Sequence, residues 1–259
     1  MKSVQLLGVR VDPLTKAELI QYIGDAVRAK AHVVVANVNV QAINLAQKEP
    51  SFRGFLNGSG AVFCDGFGVI FGASLLGHRI PERITFADWT WDLAEHAQKH
   101  RWRLFFLGAK PGVAEKAGDA LRTRYPDLRI LGFHHGYFDK TPGHPENQRV
   151  IETINAAEPD VLLVGFGMPV QEFWLRDNWV DVKAHVALPV GAVFDYVSGR
   201  VRRGPRWMTQ HGFEWLARLV IEPRRLWRRY LIGNPRFLWA VLKERIRRQA
   251  KRPEGPIQG

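Results

Sequence analysis

Apolar residues along the chain fall into two alternating patterns. Residues 32–36, 161–164 and 185–190 form short, mostly apolar runs, which are typical of strands buried on both faces of a parallel sheet. Residues 15–28 instead space most of their apolar side chains three or four apart, as one face of a helix requires. The alternation predicts an α/β fold with a Rossmann-like parallel sheet sandwiched by helices. The first run, residues 4–9, is predicted to be an edge strand.

One apolar run ends on an acid. Residues 61–64 read Ala-Val-Phe-Cys, and they are followed by Asp65, Gly66 and, after Phe67, Gly68. Aspartate is a poor strand residue and is costly among apolar neighbours unless it is paired or used. The glycines lack a Cβ, so backbone or a ligand can come close to the acid. Ligands of open α/β sheets bind beyond the carboxyl ends of the strands, so two interpretations remain, a helix N-cap and a catalytic acid.

Polar side chains also follow other predicted strands. Asn37 and Asn39 can cap the next helix or offer their amide groups to a sugar. Residues 108–112 form a Gly-Ala-Lys-Pro-Gly turn, a weak signal for a phosphate site. Gln171 lies in the first turn of a predicted helix, where it points towards the crevice or caps it. Asp195 is either a first-turn acid or an acceptor for a nucleobase or ribose.

Motifs for metal ions and dinucleotides are absent from the sequence. His134 and His135 are adjacent, but without an HExxH spacing or several cysteines they fit an ordinary loop. There is no Asp-x-Asp to hold a magnesium-bound nucleotide, and Asp88 and Asp92 are interpreted as surface residues of a helix. No G-x-G-x-x-G turn follows the first strand, which disfavours an oxidoreductase. We therefore predict no metal and no cofactor.

Composition places the charge in one part of the chain. The net charge of +12 comes from the last 60 residues, where 16 Lys and Arg face four Glu, whereas residues 1–199 are balanced. The single cysteine excludes an internal disulfide and favours a reducing compartment. No signal peptide or membrane-spanning run is recognisable. We predict a neutral catalytic body over residues 1–199 and a basic helical appendage over residues 200–259.

The appendage mixes its cations with seven aromatic residues. Trp, Tyr and Arg together suit a membrane interface, and part of the segment places apolar residues broadly on one side of a predicted helix, namely Phe237, Leu238, Val241, Leu242 and Ile246. Single-stranded nucleic acid is the rival partner for such a composition, and a helical cap on the body is the plain alternative. Because the apolar residues form a stripe, we expect an anionic membrane surface and no nucleic acid.

Six motifs occur in an order that resembles the WecG/TagA/CpsF family of bacterial glycosyltransferases. The similarity runs from about residue 5 to residue 245, and its motifs are Asp-Gly-Phe-Gly-Val at 65–69, Pro-Glu-Arg at 81–83, Leu-Gly-Ala-Lys-Pro-Gly at 107–112, His-Gly-Tyr-Phe at 135–138, Gly-Met-Pro-Val-Gln-Glu at 167–172 and Glu-Pro-Arg-Arg-Leu-Trp-Arg-Arg-Tyr at 222–230. The resemblance implies an inverting, metal-independent transferase that moves a sugar from a UDP-sugar to a sugar on undecaprenyl diphosphate. It also implies peripheral attachment to the cytoplasmic face of the bacterial inner membrane, in cell-surface polysaccharide or exopolysaccharide synthesis.

The resemblance also implies roles for individual residues. Asp65 would be the general base that deprotonates the acceptor hydroxyl. Three tail arginines would hold the diphosphate and stabilise the departing UDP, a task that a metal performs elsewhere, namely Arg218, Arg225 and Arg228. The remaining substrate-binding candidates are Asn37, Asn39, Arg83 and Gln171 around the sugar pocket, and Tyr137 and Asp195 at the uridine end.

Two positions depart from the usual residues of that family. Asn37 stands where threonine is usual, and Phe86 stands where glycine is usual before the acid Asp88. Both lie in segments expected to line the sugar pocket, so the donor is open among UDP-N-acetylmannosamine, its uronic acid and UDP-glucose. The alternative function is a non-catalytic nucleotide-binding module at the membrane surface on the same fold. The oligomeric state is also open, with a homo-oligomer as one alternative.

Overall fold

The computed structural model describes residues 3–201, 208, 214–221 and 223–250. The chain begins with an antiparallel hairpin of strands β1 (Val4–Leu6) and β2 (Val9–Val11), which is separate from the main sheet. The predicted single edge strand over residues 4–9 was therefore wrong. Leu7 and Gly8 have positive φ angles of 51° and 78°, so the backbone turns back in the middle of that run.

Six parallel strands form the central sheet, and they are β3 (Val33–Val38), β4 (Ala61–Cys64), β5 (Leu104–Gly108), β6 (Ile130–His134), β7 (Val161–Gly165) and β8 (Val186–Pro189). Their order across the sheet is β4-β3-β8-β7-β5-β6. The chain first builds one edge with β3 and β4, then the other edge with β5 and β6, and finally fills the centre. The change of direction opens a crevice beyond the carboxyl ends of the central strands.

Nine helices of the body cover the two faces of the sheet, and they are α1 (Lys16–Arg28), α2 (Val40–Ala46), α3 (Pro50–Gly58), α4 (Phe67–Leu75), α5 (Phe86–Lys99), α6 (Val113–Arg124), α7 (Pro145–Ala157), α8 (Val170–Asn178) and α9 (Val193–Val197). Helices α1, α5, α6 and α9 pack on one face, whereas α2, α3, α4, α7 and α8 pack on the other. Alternate strand residues point to opposite faces, so the apolar runs fill two cores. The predicted three-layer α/β fold is confirmed.

The basic appendage contains helices α10 (Glu214–Ile221), α11 (Pro223–Trp227) and α12 (Gly233–Ala250), with a π-helical turn between α11 and α12. Phe237 and Val241 of α12 are fully buried in the core beside α2 and α4. A Cβ added at Gly72 would come within 2.5 Å of the Phe237 ring, so glycine there lets α12 approach α4 closely. The side chain of Asn44 also donates to the Gly233 carbonyl over 2.8 Å. The appendage is thus packed onto the body through its last helix.

The other side of α12 carries apolar residues that no described part of the chain covers. Trp239 and Ile246 are 71% and 65% exposed, and Leu242 between them is also exposed. The stripe predicted from the sequence is therefore divided, because Phe237 and Val241 pack inwards and Leu242 and Ile246 face outwards. In the described part of the chain, no helix has both the length and the apolarity that crossing a bilayer requires.

Candidate functional site

A cleft of about 1430 Å³ lies at the carboxyl edge of the sheet. The ends of β3, β4, β7 and β8 form its floor, and α2, α4 and α12 contribute side chains to its walls. Seven of the ten residues predicted to form the site line this cleft, namely Asn37, Asn39, Asp65, Arg83, Tyr137, Gln171 and Asp195. Residues that are far apart in the sequence therefore meet at the position where α/β sheets bind ligands.

Asp65 directly follows β4 and lines the cleft at the end of that strand. Its backbone N–H donates to the Val38 carbonyl over 2.8 Å, which continues the pairing of β3 and β4 by one residue. The N-cap of α4 is Gly66, so the alternative interpretation of Asp65 as the cap was wrong. A Cβ at Gly68 would come within 2.5 Å of the Val40 side chain, so Gly68 admits the start of α2 rather than only a ligand.

Arg83 lies beside Asp65 because its loop runs along the end of β4. The N–H of Ile84 donates to the Cys64 carbonyl over 2.8 Å, and the Arg83 guanidinium stacks on the Phe67 ring at 4.5 Å. Burial raises the pKa of the Cys64 thiol to about 12, with a smaller contribution from the Asp65 charge that Arg83 opposes. Cys64 therefore stays a thiol, and the charged groups at this end of the cleft are Asp65 and Arg83.

Each of the two asparagine side chains makes a hydrogen bond where a strand ends or a helix begins. Asn37 is buried and donates its side-chain amide to the Pro189 carbonyl over 2.8 Å, which joins β3 to β8. Asn39 caps α2, since its side-chain oxygen accepts the Ala42 N–H over 3.1 Å. The cap interpretation of Asn39 is confirmed, and both residues also line the cleft.

Gln171 joins the two loops that follow the central strands β7 and β8. Its side-chain oxygen accepts the N–H groups of Gly167 and Gly191 over 3.1 and 3.0 Å. Its side-chain nitrogen donates to the Glu172 carboxyl over 2.8 Å. Gln171 is only 2% exposed, so its amide shapes the floor of the cleft.

The opposite end of the cleft contains Asp195 and Tyr137. Asp195 forms an ion pair with Arg200, and Tyr137 is exposed. Lys140 lies close by, 4.4 Å from the Phe138 ring and 4.6 Å from the Phe166 ring, and burial lowers its pKa. This end combines an aromatic surface with charged groups.

Positive charge predominates among the described residues that line the cleft. The cations are Arg83, Lys110, Lys140, Arg200 and Arg229, and the carboxylates are Asp65 and Asp195. Such a surface favours an anionic ligand such as a nucleoside diphosphate. Over the same described residues, no three His, Cys, Asp or Glu side chains are placed to share a metal ion.

Comparison with known proteins agrees with this geometry. A family model described as "Glycosyl transferase WecG/TagA/CpsF family" matches residues 4–251. The chain belongs to this family. A relative from Bacillus subtilis (strain 168), named N-acetylglucosaminyldiphosphoundecaprenol N-acetyl-beta-D-mannosaminyltransferase, is 31% identical over 215 residues, which cover 83% of this chain and 81% of the relative. A protein of the same name from Staphylococcus aureus (strain MRSA252) is 27% identical over 243 residues, or 93% of this chain and 92% of the relative.

As a member of the WecG/TagA/CpsF family, the chain is a glycosyltransferase, and the match includes residues 200–251 of the basic appendage. The three arginines predicted to bind the diphosphate differ in what the structure shows of them. The guanidinium of Arg228 lies 5.3 Å from the Trp227 ring, whereas the next residue, Arg229, lines the cleft. The side chains of Arg218 and Arg225 lie outside the described residues.

Sequence reasoning missed three cations of this glycosyltransferase cleft. Lys140 lies in the loop between β6 and α7, Arg200 pairs with Asp195, and Arg229 lies one residue from a predicted arginine. The sequence signal for Arg200 was the excess of positive charge after residue 199, and Arg229 also lies within the motif at residues 222–230. Lys140 is held by the Gly136 and Phe138 carbonyls of its own loop and by the Phe166 ring of another loop, and only the latter contact is distant in sequence.

Proposed function

We propose that this glycosyltransferase transfers a sugar from a UDP-sugar to a sugar carried on undecaprenyl diphosphate. The observation that carries the proposal is Asp65, a carboxylate at the end of a central-sheet strand within a cationic cleft. The relatives' name specifies an N-acetylglucosaminyl diphosphoundecaprenol acceptor and transfer of N-acetylmannosamine. Both substrates carry diphosphates, which match the positive lining of the cleft.

The proposed reaction inverts the anomeric centre in one displacement. Asp65 accepts the proton of the acceptor hydroxyl, whose oxygen attacks the anomeric carbon while the bond from that carbon to UDP breaks. The departing UDP takes the bonding electrons, and nearby cations stabilise its charge without a metal ion. Arg83 and Arg229 are the described arginines that line the cleft near α4 and α12, and Arg218, Arg225 and Arg228 remain further candidates for this role.

The relatives make N-acetylmannosamine the first donor to test, with its uronic acid and glucose as alternatives. The two unusual positions bear differently on this choice. Phe86 packs on Phe63 and Trp89 with ring centroids 5.4 and 5.3 Å apart, so its ring is largely part of the core. Asn37 is tied to Pro189, so an amide there sets the floor of the cleft between β3 and β8. We therefore expect Asn37 to affect donor choice more than Phe86 does.

Peripheral attachment to the cytoplasmic face of the membrane is part of the proposal. The exposed residues Trp239, Leu242 and Ile246 of α12 are interspersed with cations that suit anionic lipid headgroups, namely Arg236, Lys243, Arg245 and Arg247. Helix α12 also contributes Phe237 and Leu238 to the cleft. Binding through α12 would bring the cleft close to a lipid-linked acceptor.

A transfer assay on Asp65→Asn tests the proposed reaction. Purified protein is incubated in EDTA with each UDP-sugar and a short-chain lipid-diphosphate N-acetylglucosamine acceptor. We expect transfer from one donor and a loss of about 100-fold or more in kcat for Asp65→Asn, the scale of general-base catalysis. Asp119→Asn, which changes an exposed acid on α6, is the matched control and should retain full activity.

The same assay separates the catalytic proposal from the non-catalytic alternative. Equal activity of Asp65→Asn and wild type would overturn the role of Asp65. UDP binding without transfer from any tested donor would favour the nucleotide-binding module. Transfer that requires a divalent cation would overturn only the metal-independent part of the proposal.

A further inference from the structure

Glu172 is a buried carboxyl group beside the cleft that the proposed reaction does not use. It lies in the first turn of α8 and is only 1% exposed. Burial raises its pKa to about 7, and a hydrogen bond from Gln171 opposes that rise. Its Oε2 atom has no hydrogen-bond partner in the part of the chain that the structure describes. A buried carboxyl with an unsatisfied oxygen is costly, so its presence calls for a function.

The partner of its other oxygen indicates that function. Oε1 of Glu172 accepts the side-chain N–H of Gln171 over 2.8 Å. This bond determines which way the Gln171 amide points, because the nitrogen must face Glu172 and the oxygen must face away. The oxygen then receives the N–H groups of Gly167 and Gly191. If the amide were turned by 180°, its N–H groups would face the N–H groups of Gly167 and Gly191. Both glycines would then lose this acceptor.

Both glycines turn the backbone at the ends of their strands. Gly167 and Gly191 have φ angles of 84° and 61°, in the left-handed region that favours glycine. Gly167 follows β7 and Gly191 follows β8, and both residues line the cleft. One amide oxygen therefore connects the two loops at the centre of the floor, and Glu172 is the group that orients this amide.

We propose that Glu172 is a positioning residue, which holds the Gln171 amide so that it ties the β7 and β8 loops together beneath the bound nucleotide-sugar. The inference rests on the proposed function for the identity of that ligand, but the tie between the loops stands on the geometry alone. Because the loops contact substrate before any bond changes, loss of Glu172 should raise the KM for the donor more than it lowers kcat.

Two substitutions at one position test the inference. Glu172→Met keeps the volume and suits burial, but it cannot accept the Gln171 N–H. Glu172→Gln retains an oxygen that can accept it. Asn178→Ala is the matched control, since Asn178 is also buried on α8 and its hydrogen bonds to Trp174 and Asn147 lie away from the cleft.

Protein labelled with ¹⁵N-glycine reports on the loops directly. We expect the amide signals of Gly167 and Gly191 to shift and to exchange with solvent faster in Glu172→Met, and to stay near their wild-type positions in Glu172→Gln and Asn178→Ala. In the transfer assay, Glu172→Met should raise the donor KM about tenfold, the scale of one buried donor left unpaired. Glu172→Gln should restore most of that loss.

Unchanged Gly167 and Gly191 signals in Glu172→Met would overturn the inference. An equal shift of both signals in Asn178→Ala would also overturn it, because the effect would then be a general loosening of α8. If no donor supports transfer, the proposed function fails, yet the glycine signals still decide the role of Glu172.

Discussion

At the scale of single residues, three polar side chains on the floor of the cleft are fixed by hydrogen bonds to known partners. Asn37 is bonded to Pro189, Asn39 caps α2, and Gln171 bridges two glycines. Local sequence predicted the positions of these residues, since each follows an apolar run. It also predicted the cap at Asn39. It did not predict the bonds of Asn37 and Gln171, because their partners include groups about 150 and 20 residues away.

The carboxyl of Glu172 should also make stability depend on pH. The folded protein holds this proton up to a pKa of about 7, whereas the unfolded chain loses it near 4.5. Between these values the unfolded state binds fewer protons, so the stabilisation that protonated Glu172 retains at low pH is lost as pH rises. We expect the Tm of Glu172→Gln to rise relative to wild type from pH 5 to pH 7 and to change little above that.

Thermal unfolding followed by circular dichroism at several pH values measures this difference. Glu152→Gln removes an exposed carboxyl from α7 and serves as the control, for which the Tm difference from wild type should stay flat over the same range. A flat difference for Glu172→Gln as well would show that Glu172 is already ionised in the folded protein at pH 5.

At the scale of secondary structure elements, glycines decide how closely helices approach. Gly68 lets α4 begin against α2, and Gly72 lets α12 lie on α4. The sequence predicted that Gly66 and Gly68 admit a close neighbour, but it did not identify the neighbour. It gave no sign of the role of Gly72, because the ring that fills its space, Phe237, lies in the appendage.

Gly72→Val should therefore displace α12 from the body. The added side chain would overlap the Phe237 ring, and overpacking of this kind should lower the Tm by about 3 to 10 °C. Limited proteolysis should then cleave residues of α12 faster than in wild type.

The control for this change is Gly54→Ala in α3, where an added Cβ meets nothing within 4 Å. That variant should be as stable as wild type or slightly more stable, because alanine favours helix over glycine. Wild-type protease resistance in Gly72→Val would mean that α12 does not depend on this contact.

At the scale of the whole molecule, the sequence predicted the layered fold and the distribution of charge. The alternation of apolar runs and helical segments is a local pattern, and it fixes the fold class because parallel strands must be covered on both faces. The separate hairpin of β1 and β2 depends on one turn, and the docking of α12 depends on a contact about 165 residues apart in sequence, between Gly72 and Phe237. The division of the chain at residue 199 stays a prediction.

Vesicle co-sedimentation tests the membrane surface proposed for α12. Wild type should bind vesicles that contain anionic lipid better than neutral vesicles, and added salt should weaken the binding as it screens the cations. Trp239→Ser should reduce binding to anionic vesicles, since it removes a large exposed ring.

Val180→Ser, at a position that is 84% exposed outside the appendage, is the matched control and should bind as wild type does. Equal binding of wild type and Trp239→Ser would place the membrane contact elsewhere on the molecule. Equal binding to anionic and neutral vesicles would argue against a role for the cations of α12.

The contact between Gly72 and Phe237 has a consequence for the position of Asp65 relative to a membrane. Helix α4 begins two residues after Asp65 and rests on α12, so the helix proposed to touch the lipid and the proposed base belong to one packed unit. The distance between the Asp65 carboxylate and the bilayer surface would then be fixed. Displacing α12 from α4 would therefore also move the proposed base relative to a lipid-linked sugar.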